Sequence, residues 1–477
     1  MIFSKDDLRK PTFIKNPLQL IVSAGKDSVT VHSHSEDRSM TQQRSVFKGG
    51  IILTLDASVP NLTVGDVLVE GDRIVAVGEN LAAEGAAVID ARGHIVMPGL
   101  VNAHHHMWLG VMRRLMPDVD DLFAYIDVVA EKLGACYRPQ DMYLSTRLTA
   151  VSLLDAGVTT VIDACHSSRS PAHTDAALAA LEESGIRALH MVGAAMDKQA
   201  SAAHLPGDLS RLAGQWNHPE SRVQVGLFGQ LNLAWWRAAR ALDMRILTEF
   251  IGDLSTLPAE FTEPGVLGPH NIFNHCTRLP EETWHVLAEA GVNVTINPRS
   301  DALFGFDDDS FAYQQARDRG LKPAIGIDLD TAFGSDMFGE MHALFSQQRA
   351  AMSARRFRGE ADVPAPITVD AVLQAATVNG ARAAGLEDRI GTLTPGKQAD
   401  IIMLKLSGAG VFPVTSVTGT VVQALERADV DTVMVAGQLR KRHGTLIGVD
   451  LQQLNAEITA SRDYLLAASG YQVDFFS

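Results

Sequence analysis

The sequence predicts an α/β fold, a (β/α)8 TIM-like barrel flanked in the chain by the two pieces of one small β domain. Three observations predict it. Across residues 98–385, apolar strand-like runs alternate with helical ones, the rhythm of a barrel of parallel strands. Short β-branched runs broken by turns occupy residues 45–97 before it and 386–450 after it. No glycine-rich fingerprint follows the first barrel strand, which sets aside the rival open, doubly wound sheet.

Taken in order, residues 1–44 are polar and lack periodicity, as in "VHSHSEDRSMTQQRS", and read as a flexible leader in which His32 and His34 are solvated rather than ligands. Strands follow in "GGIILTLD" and "VGDVLVEGDRIVAVGEN", the latter folded at Glu70-Gly71-Asp72. The barrel runs through "AGVTTVIDAC", "IRALHMVGA", "VQVGLFGQ", "RILTEFIG", "HNIFNHC", "VNVTINP" and "KPAIGIDLD". Amphipathic stretches such as "PEETWHVLAEAG" introduce several of these strands. The β domain resumes with "GTLTPGKQADIIMLKL" and "VDTVMVAGQLRKR". Residues 451–477 form a helical tail that either closes the chain's own surface or meets a neighbouring subunit.

Composition narrows the function classes. The chain has 477 residues and a formal charge of −15, with no basic run to offset it, so a phosphate backbone is repelled and nucleic acid is not expected as a partner. Three cysteines, widely spaced, fit neither a disulfide framework nor a cysteine metal site. No run of about 18 uncharged apolar residues occurs. A soluble, cytoplasmic protein without membrane contact is expected.

The chemistry centres on "VNAHHHMW". Along a strand, side chains alternate, so His104 and His106 face one way and His105 the other. At the carboxyl end of a barrel strand, where barrel active sites are built, two imidazoles suit a borderline cation such as zinc. A helix terminus or a surface run is the alternative.

"MPGLVNAHHH", "GTLTPGKQADI" and the downstream "HC" and "GVNVTINPRS" together resemble the amidohydrolase superfamily, in its cytosine-deaminase-like and triazine-hydrolase-like branch, over about residues 47–445. The resemblance implies a barrel with a small β-sandwich formed by both flanks. It also implies a metal-dependent hydrolase that cleaves a carbon–nitrogen bond of a small molecule through an activated water. Residue by residue, it implies His104 and His106 as metal ligands, His275 as the residue that activates water or shuttles protons, and Asp328 as a metal ligand or the base. Asp330, two residues on, faces the same way if the strand continues and is a rival for that role. Subunit association is common in the resembled family, so a homo-oligomer is expected.

Two departures from the pattern matter. The fifth barrel strand, "DMRILTEFIGD", has no histidine, and its apolar rhythm puts Glu249 where the family places one. A carboxylate binds zinc at nearly the distance of an imidazole, so His104, His106, Glu249 and Asp328 make a reasonable ligand set for one divalent metal, zinc first, with iron, manganese or cobalt as alternatives. Glu249 is otherwise a general base or a substrate contact. Ring deaminases of the branch carry an acid three residues further on, where this chain has Gly252, with Asp253 next. This favours an amide, carbamate or urea-like bond over a ring amine. A heterocyclic deaminase, or a metal-dependent lyase or isomerase, is the alternative. For the substrate, Trp108, Arg113, Tyr125 and His166 are the candidate contacts, Arg113 as the holder of a carboxylate.

Overall fold

The structure, a computed structural model, describes residues 44–198, 204–308 and 310–476. The expected leader therefore lies outside the described residues, save Arg44, which opens the first strand. Strands β1 (Arg44–Ile52), β2 (Leu62–Glu70), β3 (Arg73–Gly78), β4 (Ala87–Asp90) and β5 (His94–Pro98) precede the barrel. The barrel strands are β6 (Leu100–His105), β7 (Val158–Cys165), β8 (Arg187–Val192), β9 (Val223–Phe228), β10 (Ile246–Phe250), β11 (Asn271–His275), β12 (Asn293–Ile296) and β13 (Ala324–Ile325). Strands β14 (Ile401–Lys405), β15 (Val430–Val435), β16 (Gln438–Arg442) and β17 (Thr445–Leu446) follow it.

The two flanks meet where β14 pairs antiparallel with β5, Met403 opposite Val96. The result is a single nine-stranded sheet, β17-β16-β15-β14-β5-β1-β2-β3 with β4 on β1. The sandwich expected from the resemblance is made by this one sheet curling back on itself. Phe47, Val69, Ile74, Ile401 and Met434, from strands far apart in that order, share one buried cluster. The curl needs a close backbone approach. At Gly437, with φ +74°, a Cβ would stand 1.9 Å from the Gly71 carbonyl oxygen, which only glycine avoids.

In the barrel each strand pairs in parallel with its sequence neighbour, from β6 to β13. Closure occurs just beyond β13, where Asp328 bridges His105 and the amides of Ile327 and Asp328 both donate to the His104 carbonyl, at 3.0 and 2.9 Å. At Gly326 a Cβ would stand 2.6 Å from the His104 nitrogen, so a side chain there would hold the barrel open.

The helix Leu451–Ser469 covers the chain's own surface. Ser461 donates to Asp141 at 2.6 Å, and the Arg138 guanidinium lies 3.3 Å from the centre of the Tyr464 ring. Among the described residues no helix is long and apolar enough to cross a membrane.

Barrel and sheet are pinned by a fully buried, bidentate pair. Arg187 on β8 donates to both oxygens of Asp400, at 2.8 and 2.9 Å, and Asp400 also accepts the Ala436 amide. Removing one partner strands the other charge in a low dielectric. Arg187→Ala should lower the free energy of unfolding in urea by about 3–5 kcal/mol; a loss under about 1 kcal/mol would mean the pair does not pin the two layers.

Candidate metal centre

The site is built where four strands end. His104 and His106 leave β6 on the same side. Glu249 stands one residue before the end of β10, in regular register with Asn274 of β11, and Asp328 arrives through barrel closure. His106 Nε2 lies 3.0 Å from Glu249 Oε1 and 3.2 Å from Asp328 Oδ1. His104 Nε2 lies 3.2 Å from Asp328 Oδ1, 3.5 Å from Glu249 Oε1 and 3.4 Å from His106 Nε2. A tetrahedral ion with bonds of roughly 2.0–2.1 Å holds its donors about 3.3–3.4 Å apart, which matches these separations.

Proton accounting points the same way. His106 Nδ1 donates to the Ala164 carbonyl at 2.6 Å, so in the neutral ring Nε2 carries only a lone pair. Glu249 Oε1 and Asp328 Oδ1 accept no hydrogen bond from the protein. Lone pairs therefore converge on one point, and a cation is what satisfies them. Without one, a proton on His106 has to serve. Burial lowers the pKa of that imidazole, but Asp328 and Glu249 outweigh burial and lift it well above the usual value. Burial likewise opposes ionisation of both carboxyls, and the two imidazoles overcome it and hold them well below their usual range.

Around these four, other groups fix orientation. Ser300 donates to Asp328 Oδ2 at 2.5 Å, leaving Oδ1 toward the cluster. His275 ends β11, and its Nδ1 donates to Asp301 Oδ1 at 2.6 Å. Burial works to lower the pKa of His275, but the Asp301 charge and hydrogen bond hold it at about 9. Burial in turn raises the Asp301 carboxyl, so the pair keeps a proton at neutral pH. Asp328 and His275 both have left-handed backbones, φ +73° and +67°, a conformation that non-glycine residues adopt at a cost and that concentrates at functional sites.

That backbone corrects one expectation. The left-handed turn at Asp328 breaks the strand alternation, so Asp330 does not share its face. Asp330 instead sits behind the site, where it accepts from Arg113 Nε at 3.0 Å, Thr149 at 2.9 Å and Ser335 at 2.5 Å, with His105 Nε2 at 3.5 Å. Arg113 is corrected with it, because a guanidinium committed to a buried carboxylate is not free to hold a substrate. Trp108 is corrected too. Its indole is buried in the wall against Tyr137 and behind His166, ring centres 5.5 and 5.3 Å away.

Tyr125 and His166 do line the cavity above the cluster. Burial, with the His106 charge next, lowers His166 to about 4, so it faces the cavity as a neutral ring. His190, on the far side, donates to Asp163 at 2.7 Å and fills the barrel. The cavity opens to solvent, and together with its open mouth it spans about 830 Å3 of empty space. Position 252 offers no acid and has no room for one, since a Cβ there would stand 2.2 Å from the Arg278 carbonyl oxygen. Asp253 turns outward to Arg278 at 2.7 Å.

Sequence reasoning missed Asp301, Ser300 and the rings of Phe304 and Phe306. The first two lie in the opening turn of the helix Pro298–Leu303. Its signal was Pro298, two residues after the end of β12, a helix start at the barrel mouth.

Residues 95–218 and 246–440 match the Amidohydrolase family. Among curated relatives, the 5-methylthioadenosine/S-adenosylhomocysteine deaminase of Desulfitobacterium hafniense is 26% identical over 422 residues, 83% of this chain and 92% of the relative. That of Desulforudis audaxviator is 28% identical over 425 residues, covering 83% and 94%. Among solved structures, an adenosine deaminase from Xanthomonas campestris with bound zinc superposes with a TM-score of 0.75 at 24% identity, covering 88% of this chain and 98% of that one. Atrazine chlorohydrolase from Arthrobacter aurescens TC1, complexed with zinc, gives 0.75 at 22%, covering 87% and 99%. These structural likenesses show the fold. With the family match covering most of the barrel and the second flank around a four-donor metal site, the chain belongs to the amidohydrolase family and is a metal-dependent hydrolase of carbon–nitrogen bonds in small molecules.

Proposed function

We propose that the bond cleaved is an amide-like one, at an unsaturated carbon whose nitrogen departs as an amine, and that Asp328 and His275 divide the proton transfers. The observation that carries this reading is the buried His275–Asp301 pair beside the ligand cluster, set against the absence of an acid at position 252. A divalent ion in the cluster supplies a Lewis acid and acidifies water. Zinc is the ion proposed, supported by the near-tetrahedral spacing of two nitrogens and two oxygens and by the zinc in both solved structures; iron, manganese and cobalt accept the same donors.

The protein's own part follows from its hydrogen bonds. Asp328, with Oδ2 held by Ser300, accepts the proton of the attacking water. His275, with Nδ1 committed to Asp301, is left with Nε2 for the cavity and gives its proton to the departing nitrogen. A carbon–oxygen bond forms, the carbon–nitrogen bond breaks, and the proton taken by Asp328 replaces the one that His275 gives up. Glu249 serves as the third corner of the ligand set. The three cysteines, none in a disulfide, support a cytoplasmic setting.

A second reading, removal of an amino group from an adenine-type ring, is supported by the two deaminase relatives, each covering 83% of this chain. In that reaction His275 or Glu249 would have to protonate the ring, since Asp253 faces away. Product analysis separates the two. Incubation with an aryl amide, carbamate and urea should yield amine and the matching acid or carbon dioxide, whereas ammonia from 5-methylthioadenosine or adenosine with none from the open-chain compounds would favour the ring reaction.

Three further outcomes are expected. Dialysis against a chelator should abolish turnover and lower Tm by several degrees, because an ion that binds only the folded chain stabilises it, and zinc should restore both; a metal-free protein with full activity would sink the mechanism. His275→Ala should reduce kcat by about 10²- to 10⁴-fold. His275 donates only while protonated, so activity is lost as pH rises through its pKa. Asp301→Asn removes the group that raises that pKa against burial, and the alkaline limb of the kcat–pH profile should move to lower pH. An unmoved limb would remove His275 as the acid.

A further inference from the structure

Resting on that hydrolytic reading, we infer that the substrate carries no negative charge and directs an apolar substituent toward a rim formed by Leu122, Ile126, Val129 and Leu254. Three observations converge on it.

The first is charge. No lysine or arginine lines the cavity among the described residues. The cations nearest in sequence to its walls are paired with carboxylates, Lys132 with Asp127, Arg169 with Asp197, Lys198 with Glu131 and Arg278 with Asp253. Two carboxylates at the floor, Glu249 and Asp328, cancel the charge of one divalent ion and leave no positive excess. A carboxylate or phosphate on the substrate would lose its hydration and meet no lysine or arginine, while the charge of His275 is already balanced by Asp301.

The second is the rim. Leu254 is 51% exposed and Met196 38% exposed, yet both line the cavity. Apolar side chains left in water at the mouth of a site mark a surface for an apolar ligand group. Opposite them, Ile126 ends the helix Leu122–Ile126 and Val129 and Ala130 lie in the wider π-helical turns Asp127–Leu133 that continue it. All three line the cavity, and a π-helical segment is frequent at functional sites.

The third is shape. The Phe304 and Phe306 rings stack, centres 5.0 Å apart and 16° from parallel, and Phe306 meets His275 at 5.6 Å. Tyr125 meets Phe304 edge-on at 5.6 Å. An aromatic wall next to the proton donor accommodates a flat head group at the reacting end, with the substituent extending out to the rim.

The test is calorimetric binding to the zinc-loaded protein of two flat scaffolds, benzamide and adenine, each carrying either a propyl or a carboxyethyl arm. Product formation is followed in the same samples. In whichever scaffold binds, the propyl compound should bind at least about tenfold tighter. Leu254→Arg, which places the missing cation at an exposed position, should reverse that order. Equal or tighter binding of the carboxyethyl compounds would overturn the inference, as would no binding of either propyl compound at millimolar concentration. A propyl preference with no product from either scaffold would contradict the reaction proposed above and leave the inference about charge and shape standing.

Discussion

Two carboxylate oxygens and two imidazole nitrogens meet in a space that only a cation can reconcile, and the rest of the molecule is arranged to keep them there. The Ala164 carbonyl holds His106 Nδ1–H, so in the neutral ring Nε2 presents a lone pair to the cluster. Asp328 is held from behind by Ser300. Barrel closure through the His104 carbonyl binds the strand bearing the histidines to the segment bearing the aspartate. An error in closure would therefore be an error in the ligand geometry, which makes the glycine at position 326 part of the site as much as of the fold.

The same constraint shapes what lies around the cluster. Its charges are balanced locally, so the cavity above has no need of cations, and the arginines nearby are used for structure instead. Arg113 ties the segment after β6 to Asp330, and Arg187 ties β8 to the curled sheet. Both spend their charge in the interior, where a guanidinium must be paired. The charged groups gather at the floor, and the walls are mostly rings and aliphatic side chains, with Gln230 and Ser255 among them.

How much of this was legible in the sequence depended on how regular the backbone is. His104 and His106 could be read because they stand two residues apart at the end of β6, although the register of β6 with β7 shifts twice before it. Glu249 could be read because β10 runs in unbroken register with β11, so an apolar rhythm counts residues correctly. Asp330 would share the face of Asp328 only if the strand continued, and the left-handed conformation of Asp328 ends that alternation. Trp108 and Arg113 lie in the 3-10 turn after β6 or at its end, where nearness in sequence to a ligand does not tell which side a chain faces. Asp301, the partner of His275, is 26 residues away from it, and no local pattern connects the two. The β domain was legible as two flanks, but not its curl into a single sheet, which rests on contacts between residues such as Gly71 and Gly437.

The central claim is that Glu249 takes the corner that an imidazole fills elsewhere in the family. Its most direct test is the metal content per chain, by elemental analysis, of the natural protein, Glu249→Ala and Glu249→His, all purified without chelators. The account predicts about one divalent ion in the natural protein, loss of most of it in Glu249→Ala, and its return in Glu249→His, because imidazole and carboxylate bind such an ion at nearly equal distances. Metal retained undiminished in Glu249→Ala would contradict it.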